Sequence, residues 1–197
     1  ALSDYRLPDY LIDETHLTFE LHESYALVHA RLLMQRNPGL DESLPPLLLD
    51  GQQLELVNIE LDGRQLTSVE YTLTANHLQI QPTKNQFELN TTVRIEPQNN
   101  TALEGLYKSS GMFCTQCEAE GFRKITYYLD RPDVMSRFTT TIHAEKHRYP
   151  ILLSNGNPIA EGEEDNGRHW VTWEDPFKKP AYLFAVVAGD LWCVEDS

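Results

Sequence analysis

Leu17-Thr18-Phe19-Glu20-Leu21-His22 alternates apolar and polar side chains without a break. A period of two puts Leu17, Phe19 and Leu21 on one face of an extended chain and Thr18, Glu20 and His22 on the other. That is the pattern of a strand with one side in a core and one in water. The same reading extends outward. Residues 25–34 form a second strand-like run, richer in apolar side chains. Leu54, Leu56 and residues 59–61 make a third, closed by the tight-turn pair Asp62-Gly63. Residues 69–73 and 78–80 bracket Asn76-His77 as a hairpin, and Phe87-Glu-Leu-Asn-Thr-Thr-Val-Arg-Ile95 alternates again. Turn signals recur about every ten residues, the spacing of sandwiches and open antiparallel sheets.

The second half is less regular. Residues 124–129 and 139–144 read as strands. Between them Asp130 can cap one short helix, with Pro132 in its first turn and Val134, Met135 and Phe138 as its apolar face. Asn155-Gly156-Asn157-Pro158 is a turn, and residues 159–173 read as a hairpin reversing at Asp165-Asn166-Gly167. Asp175-Pro176 is expected to break the chain before a final strand. There is no internal repeat or Gly/Ser linker. The expected fold over residues 1–197 is therefore one mostly β domain of two or three packed layers with one short helix.

Composition narrows the partners. Sixteen Lys and Arg stand against 30 Asp and Glu, a formal charge of −14, so the chain lacks the basic face that binds phosphate backbones or anionic membranes. Three cysteines, Cys114, Cys117 and Cys193, do not make a secreted disulfide framework. No basic-then-apolar leader opens the sequence, and the longest apolar run, residues 181–188, is far below the roughly 20 residues of a spanning helix. A cytoplasmic setting is expected. The start without Met, and the stop just after an apolar run, lead us to expect a larger parent protein.

Three constellations could carry chemistry. His143-Ala-Glu-Lys-His147 has two histidines, but its Glu sits one position late for the zinc motif His-Glu-x-x-His. On a strand the two rings would lie about 13 Å apart, so they read as surface histidines. Cys114-Thr-Gln-Cys117 is half a zinc ribbon or a redox pair, without the second pair or the βαβ unit either would need. Gln116, Glu118 and Glu120 alternate, so an extended chain would project one amide and two carboxylates to one side. Such a row suits an ammonium group, and equally a solvated acidic edge.

At this segment the sequence resembles a known family. Thr101-Ala-Leu-Glu-Gly-Leu-Tyr107, Cys114-Thr-Gln-Cys-Glu-Ala-Glu-Gly-Phe-Arg123 and Ile125-Thr-Tyr-Tyr-Leu-Asp-Arg-Pro-Asp-Val134 are similar to blocks of the bacterial aminopeptidase N family of zinc aminopeptidases. So are Leu153-Ser-Asn-Gly-Asn157, Asn166-Gly-Arg-His-Trp170, Asp175-Pro-Phe177, Lys179-Pro180, Tyr182-Leu-Phe184 and Val187-Ala-Gly-Asp190. The first half matches more loosely, through Asp4-Tyr-Arg-x-Pro-Asp-Tyr10 and Leu17-Thr-Phe19.

The resemblance implies a saddle-shaped N-terminal β domain, mixed or antiparallel and multi-layered. The catalytic domain, with zinc as cofactor on His-Glu-x-x-His and with a Gly-Ala-Met-Glu-Asn exopeptidase motif, would follow it. Neither motif is in this sequence. The family removes single N-terminal residues from peptides, and its bacterial branch favours Ala, Arg and Lys ends. It implies that Glu118 reaches into the catalytic cleft and binds the substrate α-ammonium, and that the following peptide bond is cis. Gln116, on the same side of an extended segment, would be a neighbouring contact. The final strand and the region of Trp170, Trp173, Phe177 and Trp192 would face the absent catalytic domain. A noncatalytic β interaction module is the alternative. By itself the chain is expected to bind no stoichiometric zinc in elemental analysis and to release no chromophore from an aminoacyl substrate.

Overall fold

The computed structural model of the chain describes residues 5–40 and 44–194. Fifteen strands form among them. They are β1 (Tyr10–Leu21), β2 (Ala26–Arg36), β3 (Leu47–Asp50), β4 (Glu55–Leu61), β5 (Arg64–Gln65), β6 (Tyr71–Leu73), β7 (His77–Ile80) and β8 (Gln86–Ile95). The second half adds β9 (Gly105–Ser109), β10 (Met112–Gln116), β11 (Met135–Glu145), β12 (Ile151–Ser154), β13 (Asn157–Glu163), β14 (Arg168–Pro180) and β15 (Val186–Gly189). They build an eight-stranded sheet in the order β13-β14-β11-β1-β2-β8-β4-β5, a four-stranded sheet β12-β15-β10-β9 and a three-stranded sheet β3-β7-β6. One hydrophobic cluster draws side chains from all three. Among the described residues no helix is long and apolar enough to cross a membrane.

The period-two reading locates the large sheet. Leu17, Phe19 and Leu21 are buried and Thr18 and Glu20 half-buried, as alternation requires. Upstream the parity changes: Tyr10 and Ile12 are buried, then Thr15. A bulge at Asp13, where the β1–β2 register shifts between Ile12 and Glu14, inserts the extra residue and keeps both halves of β1 facing the core. Thr15, now inward, shares 2.8 Å hydrogen bonds with the Tyr128 hydroxyl and with Ser136 Oγ, so this buried hydroxyl is satisfied. β1 pairs antiparallel with β2 and parallel with β11, which makes the sheet mixed. Asp62 (φ 51°) and Gly63 (φ 76°) both take the left-handed conformation in the β4–β5 turn, as a two-residue hairpin demands.

Several expectations are corrected. Residues 130–138 hold no helix: the chain turns, and β11 begins at Met135. Asp130 cannot cap because Arg123 takes its carboxylate, and the Ser/Thr-rich run 136–141 gains two strand partners, β1 and β14. Residues 124–129 are not a strand. Lys124 closes a 3-10 turn, Phe122–Lys124, and of the residues after it only Tyr128 bridges, to Asp50. Asp175-Pro176 does not end a strand. β14 continues to Pro180, and a bulge places Pro176, Phe177 and Lys178 opposite Arg137, where a missing proline N–H costs no ladder bond. The last strand, β15, pairs on both sides, with β10 and β12, so its two edges are closed within this chain. Trp170 and Trp173 are half-buried, Trp173 donating to the Leu152 carbonyl, whereas Phe177 and Trp192 are exposed.

The end of β1 is tied down by charge. The Glu23 carboxylate accepts from the Tyr149 hydroxyl (2.6 Å) and Lys108 Nζ (2.9 Å), with Arg148 at 2.7 Å. The Tyr149 hydrogen bond first, then the two cations, hold its carboxyl down at about 2 from an ordinary 4.5. A depressed pKa contributes stability above the unfolded value and loses it as pH falls through the folded one. Glu23→Gln should therefore lower Tm at pH 7 by roughly 2–4 °C, a small effect because the carboxylate is half exposed. The deficit should shrink from about pH 4.5 downward and be gone near pH 2, as read by thermal melts across that range.

Candidate functional site

The loop from Cys117 to Lys124 carries the residues singled out in the sequence. β10 ends at Gln116, and the chain then turns, closing with a 2.8 Å bond from the Gly121 N–H to the Cys117 carbonyl. Cys117 and Phe122 are buried, and the residues between them that point outward are Glu118, Ala119 and Glu120. Phe122 contributes an aromatic anchor, its ring 4.6 Å from Tyr128 and 5.2 Å from Phe184 by centroid. The Glu118–Ala119 peptide bond is cis.

Gln116, Glu118 and Glu120 do not form an extended row. The backbone turns after Gln116, whose Nε2 donates to the Glu118 carbonyl at 3.2 Å. Gln116 and Glu118 are thus brought together through the main chain. Glu120 goes elsewhere, its Oε2 lying 3.3 Å from Arg123 NH1. Among the described residues nothing hydrogen-bonds to or ion-pairs with the Glu118 carboxylate, which stands exposed.

Residues that sequence reading missed shape this loop. Gly121 has no room for a side chain: a Cβ would sit 2.3 Å from the Gln116 carbonyl oxygen and 3.0 Å from the Gly105 nitrogen. Arg123 is roughly six-sevenths buried, at 15% side-chain exposure, and Asp130 is 2% exposed. The Asp130 Oδ2 accepts from the Arg123 backbone N–H (3.1 Å) and Nε (3.0 Å), and Arg123 NH2 donates to the Asp130 carbonyl (3.2 Å). Burial pushes the Asp130 carboxyl up, and the Arg123 bonds oppose that shift. The Asp130 N–H in turn donates to Asp50 Oδ2, and the Gln52 N–H to the Arg123 carbonyl, joining the loop to the end of β3. The only signal for Gly121 or Arg123 was their place in a block carried by resemblance, and Asp130 before Arg-Pro read as a cap.

Burial raises the Cys117 thiol to about 12, away from a reactive thiolate, and Cys114 is pushed up for the same reason. His143 Nδ1, on the interior strand β11, lies 2.5 Å from Glu164 Oε1 just after β13, and His147 falls in the turn after β11. Among the described residues no group of three or more His, Cys, Asp or Glu could hold a metal ion.

Residues 28–183 match the family described as the peptidase M1 N-terminal domain. The chain is 51% identical over 195 residues to aminopeptidase N of Caulobacter vibrioides, covering 99% of this chain and 22% of that protein. It is 50% identical over 194 residues to aminopeptidase N of Escherichia coli, covering 98% and 22%. The structure of Legionella pneumophila aminopeptidase A in complex with aspartic acid superposes with a TM-score of 0.92 at 38% identity, over 97% of this chain and 22% of that one. A mutant M1 zinc metallopeptidase from Deinococcus radiodurans, bound to a Tyr-Ser-Ala substrate, shares the fold at TM-score 0.78 and 16% identity, over 92% and 42%. The chain spans about a fifth of the length of the curated relatives it matches.

The close approach at Gly121 sets an expectation for stability. Gly121→Ala must push a backbone carbonyl aside rather than a flexible side-chain end, which typically costs about 1–3 kcal/mol. The variant should melt several degrees lower, and the thermal unfolding midpoint measures it.

Proposed function

The chain belongs to the peptidase M1 N-terminal domain family, and from that membership we propose that it works as the first domain of a zinc aminopeptidase, capping the catalytic cleft and anchoring the substrate by Glu118. The observation that carries this reading is the state of that one carboxylate: exposed, uncommitted, and held on a loop stapled at both ends by buried side chains.

An aminopeptidase must tell a free α-ammonium from an internal amide. A carboxylate with no partner of its own is satisfied when a cation arrives and gains little from a neutral acyl group. Closure of a cleft over it would remove water and strengthen the contact. Gln116, whose Nε2 donates to the Glu118 carbonyl, would be a neighbouring contact beside the bound ammonium. The zinc of such an enzyme would be held by the catalytic domain, whose His-Glu-x-x-His motif is not in this sequence. The partners are a peptide with a free N-terminus and the catalytic domain of the same protein, with neither nucleic acid nor membrane. The cytoplasm is the compartment the composition favours.

In the full-length enzyme, Glu118→Ala should lower kcat/KM on free-amine peptides about 30-fold or more, since losing a desolvated charge-assisted contact costs about 2–5 kcal/mol. Glu118→Gln should bind better than Ala yet lose discrimination against N-acetylated peptides, because an amide can donate to an acyl oxygen. Glu120→Ala should act mildly. Steady-state kinetics with melting as a folding control measure all three. Parental kinetics in Glu118→Ala would return the domain to the role of a β interaction module.

A further inference from the structure

The loop offers two carboxylates two residues apart, and only one can register a peptide N-terminus against a fixed reaction centre. What separates them in this structure is one cation. Arg123 is clamped by buried Asp130 through its backbone N–H, its Nε and its NH2, while NH1 reaches out to Glu120.

We propose that Arg123 is a positioning residue of the α-ammonium site: anchored on Asp130, its guanidinium occupies Glu120 and leaves Glu118 as the loop's one uncommitted carboxylate. The inference rests on the anchoring role of Glu118 proposed above.

Glu120 is 69% exposed at its side chain, and an exposed ion pair formed by two floppy side chains contributes almost nothing. Here one partner is already immobile. Asp130 fixes the plane of the guanidinium, so Glu120 pairs with a fork whose ordering is supplied from inside the fold. A lysine could satisfy Asp130 but has one nitrogen where Arg123 has three, and it could not also span to Glu120. Without the fork, Glu120 becomes a second, misplaced acceptor for the substrate ammonium. Productive binding then suffers more than the chemical step.

The test uses the full-length enzyme and free-amine dipeptide amides. Arg123→Lys should raise KM about tenfold with kcat changed much less, the signature of lost substrate register. Adding Glu120→Gln should recover most of that loss, because the competing carboxylate is gone. In a Glu118→Ala background Arg123→Lys should have almost no further effect. The pair Arg123→Met with Asp130→Asn removes the buried charges together and keeps an amide oxygen to accept the backbone N–H of residue 123, so it should fold and show the same KM rise and the same recovery by Glu120→Gln. An unchanged KM in the folded variants overturns the proposal. So does a rise that Glu120→Gln leaves in place, or one that persists undiminished in Glu118→Ala. If Glu118→Ala is itself parental, the anchoring role has failed at its root, a result distinct from the others.

Discussion

The parallel pairing of β1 with β11 is the constraint on which the remaining architecture depends. Seven residue pairs, from Glu14 with Arg137 to Glu20 with His143, join the first strand to one more than a hundred residues later. Parallel neighbours cannot be linked by a hairpin, and the connection must cross over. In α/β proteins a helix makes that crossing; here everything from β2 to the turn before β11 does. The three-stranded sheet, the β9–β10 hairpin and the Glu118 loop all lie within this one excursion. The seam is sealed by Thr15, Tyr128 and Ser136, whose buried hydroxyls satisfy one another where β1, the excursion and β11 meet.

That arrangement ties the loop at both ends, although its one regular element is the short 3-10 turn Phe122–Lys124. Its incoming end leaves β10 of the four-stranded sheet, and its outgoing end is bonded to the end of β3 in the three-stranded sheet. Phe122 goes down between them into aromatic neighbours, including Phe138 of β11. The position of Glu118 is thus a resultant of three sheets. A change in any of them that keeps the fold should be felt at the carboxylate through Phe122 or Asp130.

How much was legible follows from the range of each interaction. β1, β2 and β8 announce themselves because a half-buried strand writes its two faces into adjacent residues, and Asp62-Gly63 announces a turn whose dihedrals few residues accept. The bulge at Asp13 left no mark, since Asp13-Glu14 reads as ordinary polar sequence. Residues 130–138 misled because Asp before Arg-Pro is a good cap only while its carboxylate is free, and Arg123 had claimed it through the fold. At the site, alternation suggested an extended acidic row, and the turn after Gln116 dissolved it. Glu118 came from family resemblance. No local pattern could tell which carboxylate would be left unpaired, because that depends on Arg123 and Asp130 meeting in space.

The rim of the large sheet has a bearing on how this molecule behaves in company. One border, β5, is two residues long. The other, β13, starts with Asn157-Pro158, is bulged between Pro158 and Ala160, and carries Glu161 and Glu163. A proline cannot donate to an added strand, a bulge spoils its register, and like charges repel a second copy laid alongside. An eight-stranded sheet would otherwise be a ready template for stacking between molecules in a crowded solution. β5 covers only Glu60 and Leu61 of β4, and the Glu55–Asn58 stretch that completes this border is bulged between Leu56 and Asn58, so on both sides an added ninth strand meets an irregular backbone.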